Sequence, residues 1–278
     1  MTRKEFLKLS GLLLASPLYS SLLQSETKMM PSLFISHGSP MNIIRDNSFT
    51  TSLKEIVKTF DKPKAIIVIS AHWYTNNTLI SNLEEQETIY DFYGFPDQLY
   101  NITYEPKGDE KLASDVNEIL KNSSLEDRGL DHGAWSILRH MYPKQDIPTF
   151  QISINKNLSY MQHFEIASLL KKLRKNGVLI IGSGSVTHNL RLTDYRKTNV
   201  DAWALEFDEY IKEAFNTKNF SNIIEAQKHP LFNIAHPFDD HFIPLLYTAG
   251  TIEDNDTIEH FHEEIVSGNL TMRSIKIG

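Results

Sequence analysis

Short apolar runs rich in Ile and Val recur along this chain with helical patterns between them, and histidines stand where several of the runs stop. Ser32–Ser36 is followed by His37, Ala65–Ser70 by Ala71-His72, and Val178–Gly182 by Ser183-Gly184-Ser185-Val186-Thr187-His188. Runs of this length without alternation read as strands buried on both faces, and strands alternating with helices give a mainly parallel sheet. We read strands at Ser32–Ser36, Ala65–Ser70, Leu79–Asn82, Thr149–Ile154, Val178–Gly182 and Ser274–Ile277. Helices are expected near Ser48–Phe60, Asp109–Lys121, Ala134–Met141, Ser159–Asn176, Val200–Phe215, Asn219–Gln227 and Asp239–Ala249. Asn176-Gly177 closes the fourth, because glycine accepts the left-handed conformation that ends helices. The fold class is therefore α/β, a central mainly parallel or mixed sheet flanked by helices.

No repeat, low-complexity run or Pro/Gly-rich linker divides residues 30–278, so they read as one domain. Residues 1–29 differ. A basic start leads into Leu9-Ser10-Gly11-Leu12-Leu13-Leu14-Ala15 and then into small and polar residues, the layout of an export signal and too short to span a bilayer. Thr2-Arg3-Lys4-Glu5-Phe6-Leu7-Lys8 resembles a twin-arginine signal with Lys4 in place of the second arginine. The expectation is a periplasmic protein; a cytoplasmic one with an N-terminal extension is the alternative.

The chain carries no cysteine, which removes disulfides, thiolate metal sites and cysteine nucleophiles and leaves His, Asp and Glu as metal ligands. A formal charge of -7 offers no basic field for a phosphate backbone, so nucleic acid is not an expected partner, and no stable membrane insertion is expected. His37 and His72 both emerge at the carboxyl edge of the sheet, where open α/β sheets bind ligands. If their strands were neighbours, about 4.8 Å apart, both imidazoles would reach one ion at roughly 2.0–2.1 Å. Ile180-Ile181-Gly182-Ser183-Gly184-Ser185 lacks the spacing of a phosphate-binding loop, so its glycines are read as a sharp turn that presents His188. His241 opens the apolar run Phe242-Ile243-Pro244-Leu245-Leu246-Tyr247, with Asp239 and Asp240 placed to cap a helix. His132, in Asp131-His132-Gly133-Ala134-Trp135, either binds substrate or makes a local hydrogen bond at a helix entry. His163, His229, His260 and His262 lie in polar or helical contexts and are read as surface residues.

Together these blocks resemble the class III extradiol ring-cleavage dioxygenases, in particular the 4,5-DOPA dioxygenase branch. The matching stretches are Leu33–Pro40, Ile69–Trp73, Tyr90-Asp91-Phe92-Tyr93-Gly94-Phe95-Pro96, Gly129–Trp135, Gly182–Asn189 and His236–Leu245, in the family's order. The resemblance implies a non-haem metal bound by His37, His72 and His241. It places His188 beside the ion, as a free acid/base or as a fourth ligand. Fe(II) is expected for activity, and Zn(II) suits the same ligands. Iron oxygenases commonly pair two histidines with a carboxylate; here His241 stands in that place, with Asp240 next to it as a competitor.

The implied reaction inserts O2 into a small catechol, with His188 moving a catechol proton and His132 hydrogen-bonding a bound oxygen. Tyr93 and Trp73 are expected to touch substrate, and Trp135 either walls the pocket or fills the core. Arg191 is the candidate partner of a substrate carboxylate, a surface salt bridge being its alternative use. Two rivals keep the same histidines: a zinc hydrolase with His188 as base, and a metal-binding protein without turnover.

Overall fold

In a computed structural model that describes residues 29–278, every strand expected from the sequence is present. They are β1 (Ser32–Ser36), β2 (Ala65–Thr75), β3 (Thr78–Ser81), β5 (Thr149–Asn155), β6 (Val178–Gly184) and β10 (Ser274–Ile277), joined by β4 (Ser123–Glu126), β7 (Ile258–His262), β8 (Ile265–Val266) and β9 (Leu270–Thr271). Eight of them form one mixed sheet in the order β4-β3-β5-β2-β6-β1-β10-β7, and β8 pairs with β9 separately. The centre, β5-β2-β6-β1, is parallel, while β10 runs antiparallel to β1 and β3 antiparallel to β5. The unforeseen strands are short, and Ser123–Glu126 is largely exposed, so no apolar run announces it.

The residues of the central strands alternate between two helical layers. Phe34, Ile67, Ile69 and Ile180 face α4 (Tyr160–Leu170), α5 (Ala202–Asn216) and α6 (Ile243–Gly250). Leu33, Ile35, Ile66, Val68, Leu179 and Ile181 face the other side, where α1 (Ser48–Ile56) and α3 (His132–Met141) pack; α2 (Glu110–Leu120) borders β3 and β4. Burial on both faces explains the unbroken Ile/Val runs. α1 starts with a capping box between Asn47 and Thr50, and α3 starts under Asp131, whose side chain accepts from Ala134 N. The helix expected over Ser159–Asn176 divides at Lys171 into α4 and a single turn, and Gly177 follows with φ +88°.

Three readings are corrected. β1 and β2 are not neighbours, because β6 lies between them. His72 crosses that gap because the β2–β5 ladder jumps from Ile69↔Ile152 to Tyr74↔Ile154, so that Ser70, Ala71, His72 and Trp73 stand opposite Ser153 alone. A bulge of this kind bends a strand and re-aims its side chains.

Gly182 and Gly184 do not make a turn; both belong to β6, and α6 approaches them. A Cβ on Gly182 would lie 2.3 Å from Pro244 O, and one on Gly184 would lie 2.2 Å from His241 O.

His163 and His262 are buried, not superficial. His163 occupies the inner stripe Tyr160, His163, Ala167, Leu170 of α4 with its Nδ1 3.1 Å from Tyr247 Oη, and burial pulls its pKa down to about 4. His262 contacts Ser52 Oγ at 3.1 Å. His229 and His260 are half-buried, His229 packed against the Tyr210 ring at 4.3 Å and His260 within 3.1 Å of Arg273.

Among the described residues no helix is long and apolar enough to cross a membrane. The export-signal reading covers residues 1–29, of which 1–28 lie outside those described.

Candidate active site

Five histidines from five parts of the chain meet at the carboxyl edge of the parallel strands. His37 follows β1, His72 rides the bulge of β2, His132 opens α3, His188 follows β6, and His241 precedes α6. All five line one cavity of about 420 Å³. His37 Nε2 and His72 Nε2 are 3.1 Å apart. The His241 ring lies 5.3 Å from His37 and 5.0 Å from His72, and the His132 ring is 4.0 Å from His72. His188 stacks on His241 with ring centroids 3.6 Å apart and planes 7° from parallel. The tightest triple of ring nitrogens among the described residues is His37, His72 and His132, all within 4.8 Å of one another.

The Nδ1 atoms of His37, His72, His132 and His241 each lie beside an oxygen. Ser183 Oγ donates to Gly133 O at 2.6 Å, so its free lone pair receives His37 Nδ1–H at 2.9 Å. His72 Nδ1 and His132 Nδ1 lie 3.3 and 3.0 Å from the same atom, Asp91 Oδ2. His241 Nδ1 lies 3.2 Å from Asp240 Oδ2. A bare ring nitrogen and a carboxylate oxygen would oppose lone pairs at such distances, so these contacts favour a proton on Nδ1 and a free pair on Nε2.

Burial, with the like charges of His241, His132 and His188, depresses the His37 pKa. Burial and the neighbouring histidines, His132 first, do the same for His72. His188 is pushed down to about 2, chiefly by burial and then by His241. These rings are neutral at neutral pH. Two bare Nε2 atoms 3.1 Å apart repel each other unless a cation lies between them. Two ligands of one ion at roughly 2.1 Å stand about 3.0–3.4 Å apart, so the spacing fits a divalent metal. Both ring nitrogens of His241 are buried without an aligned hydrogen bond, which adds an unsatisfied donor atom to the same place.

The chain matches the family described as the catalytic LigB subunit of aromatic ring-opening dioxygenase over residues 30–275. It belongs to that family. It is 37% identical to a 4,5-DOPA dioxygenase extradiol of Escherichia coli K12, covering 95% of this chain and all of the relative, and 38% identical to one of Beta vulgaris, covering 91% and 98%. A crystal structure of an uncharacterized protein from Escherichia coli K12 superposes with a TM-score of 0.79 at 34% identity, covering 90% of this chain and all of that one. The chain is thus a LigB-type extradiol dioxygenase, a class of non-haem metal enzymes, and the histidine cluster lies within the matched region.

Relative to this LigB-type site, the remaining sequence readings divide. Tyr93 lines the cavity and is 92% exposed, placing it at the mouth. Trp73 does not line it; it is buried beneath Arg128, whose guanidinium sits 4.9 Å from the ring centre. Successive residues of an extended segment point to opposite faces, so a strand that sends His72 into the site sends Trp73 away. Trp135 is fully buried core, its indole N–H donating to Ile89 O at 3.0 Å.

Asp239 and Asp240 cap no helix with their side chains. Asp239 accepts from Tyr74 Oη and Tyr160 Oη, while Asp240, on the far side of His241, is held below its usual pKa by that ring although burial opposes the shift. Arg191 lies over the Phe238 ring at 5.7 Å, beside a smaller cavity behind His188, and makes no salt bridge among the described residues.

The aromatic block Tyr90–Pro96, read from the sequence as a pocket wall or a packed loop, does line the cavity through Phe92, Tyr93 and Phe95, whereas sequence reasoning missed the roles of Asp91, Ser183, Tyr195 and Met272. Asp91 was visible as the one carboxylate in the aromatic block Tyr90–Pro96. Met272 reaches the cavity from beyond β9, far along the chain from the five cavity histidines, and nothing local marks it.

Proposed function

We propose that the chain cleaves a small catechol beside its diol, with the metal held by His37, His72 and His241. The observation that carries this reading is the pair of Nε2 atoms of His37 and His72, 3.1 Å apart, with the His241 ring 5.3 and 5.0 Å from theirs, inside a cavity whose apolar walls include Phe92, Phe95, Leu190, Leu270 and Met272. Iron(II), when bound, supplies the redox chemistry that O2 activation requires and a place for both catechol oxygens; zinc suits the same donors. His132, beside His72, and His188, beside His241, are placed to hold or move the catechol hydroxyl protons. Assistance of that kind is typically worth about 10²–10⁴-fold. His37, His72 and His188, held neutral by burial and by their neighbours, also favour an anionic catecholate once a dication is present.

None of the residues lining the cavity is Lys, Arg, Asp or Glu. The ring itself is therefore gripped by apolar walls, not by a salt bridge. A neighbouring cavity of about 480 Å³ shares Gly38, Ser39, Phe95, Tyr195, Leu270 and Met272 with the first and reaches Arg45 and Glu264. This shape favours a catechol with a charged substituent chain, a DOPA-like substrate, over bare catechol. The relatives' names, 4,5-DOPA dioxygenase extradiol, point the same way.

The test is to load metal-stripped protein with Fe(II) and follow O2 consumption and a new visible chromophore with L-DOPA, caffeate and catechol. Stoichiometric uptake with a coloured product is expected. No uptake at full iron occupancy with any of the three, combined with anaerobic ester or amide hydrolysis by the zinc form, would replace the dioxygenase reading with hydrolysis.

A further inference from the structure

Asp91 comes from the aromatic loop before α2, not from the sheet edge, yet it touches two of the five histidines at once. Its Oδ1 accepts from the His132 backbone N–H at 2.8 Å. Its Oδ2 lies 3.0 Å from His132 Nδ1, close but not aligned as a hydrogen bond, and 3.3 Å from His72 Nδ1. Every oxygen of this carboxylate is therefore turned toward a nitrogen of the cluster.

We propose that Asp91 is a positioning residue that sets the tautomers of His72 and His132 together, holding the proton of both rings on Nδ1. The inference rests on the catechol-cleaving reading for its meaning but not for its test. Its consequence differs between the two rings. His72 is left with a bare Nε2 directed at His37 Nε2, the form a metal ligand must take.

His132, likewise bare at Nε2, then meets the substrate as a hydrogen-bond acceptor. A catechol hydroxyl can donate to it; a bound oxygen that needs a donor cannot be served by it. The sequence assigns His132 a hydrogen bond to a bound oxygen without a direction, and the Asp91 contact supplies one. It also distinguishes His132 from His188, which has no carboxylate within 4 Å among the described residues and stacks face to face on His241.

An amide at position 91 cannot do the same. If its oxygen keeps the His132 backbone N–H, its NH2 group faces both Nδ1 atoms, and two donors then oppose two donors. The rings must release Nδ1–H, moving the proton to Nε2, or move away.

The experiment is two-bond 1H–15N correlation spectroscopy of the histidine rings in the zinc-loaded, full-length protein, which separates Nδ1–H from Nε2–H directly. The expected result is His132 protonated at Nδ1 alone in the unsubstituted protein. In Asp91→Asn it should switch to Nε2–H, and in Asp91→Glu, which retains a carboxylate, it should stay at Nδ1–H. Zinc affinity of Asp91→Asn should fall by about 10–100-fold. An Nε2–H or doubly protonated His132 in the unsubstituted protein overturns the proposal, and this measurement stands even if Asp91→Asn fails to fold. A folded Asp91→Asn that keeps His132 at Nδ1–H overturns it too. Failure of catechol cleavage would leave the ring tautomers unaffected, so the two readings fail separately.

Discussion

Adding one methyl group at Gly184 tests whether the close approach of α6 to β6 is what sets His241. In Gly184→Ala the new Cβ would start 2.2 Å from His241 O and 3.2 Å from Pro244 Cγ. Real Cβ contacts are essentially never closer than 3.0 Å, so the carbonyl must retreat by at least 0.8 Å, the difference between 3.0 and 2.2 Å. The retreat strains the hydrogen bond from Ser185 N to His241 O, now 2.9 Å, and the carbonyl belongs to the residue proposed as a ligand.

Metal sites hold their distances to about ±0.2 Å, several times less than this displacement. Overpacking of this kind costs about 1–3 kcal/mol. For a chain of this size that lowers Tm by roughly 2–12 °C. The expected outcome is a folded protein with a lowered Tm and substoichiometric metal by inductively coupled plasma mass spectrometry after iron or zinc loading. Gly94→Ala is the control for backbone strain alone: Gly94 sits at φ +76°, so alanine there should also lower Tm, but its Cβ would meet nothing within 4 Å and full metal occupancy is expected. Full metal occupancy at unchanged affinity in Gly184→Ala would refute the reasoning, whether or not Tm had moved, because His241 would then tolerate a shift no ligand can.

Ser183→Ala removes the acceptor of His37 Nδ1–H, and metal affinity measured by competition with a chelator should fall about 10–100-fold while the fold is kept. His163 is held neutral by burial, with a pKa near 4 against 6.5 in the unfolded chain. The unfolded state therefore binds the extra proton between those values. Stability should decline as pH falls from about 6.5 to about 4, by up to roughly 3 kcal/mol, and this component should flatten below. His163→Gln keeps a hydrogen-bonding group for Tyr247 and should show a shallower loss of urea midpoint over that interval; an identical slope would rule the histidine out. Arg174 is fully buried, pairs with Asp256 at 2.6 Å and donates to Met30 O, Thr251 O and Ile277 O. Arg174→Met leaves that buried carboxylate without its cation and three carbonyls without this donor, so chemical denaturation should report a loss of about 3–5 kcal/mol.

The architecture was legible because it depends on local chemistry. Unalternated Ile/Val runs can only be buried on both faces, and the caps at Asn47, Asp131 and Ser159 and the stop at Gly177 act within a few residues. The absence of cysteine and the histidines at strand ends likewise directed attention to an imidazole site before any contact was known.

What the sequence could not supply was anything that depends on which segments meet. β6 separates β1 from β2, so the His37–His72 contact exists only because a bulge in β2 carries His72 across. His163 was misplaced because its helical stripe, not its polarity, decides its burial, and Trp73 because a one-residue step along a strand reverses the face. Asp91 and Ser183 are ordinary loop and strand residues until the fold brings them within 3.0 Å and 2.9 Å of His132 and His37. The identities of the imidazoles are thus written in the chain, whereas their tautomers, pKa values and mutual aim arise from long-range packing, which fixes neighbours that no local pattern encodes.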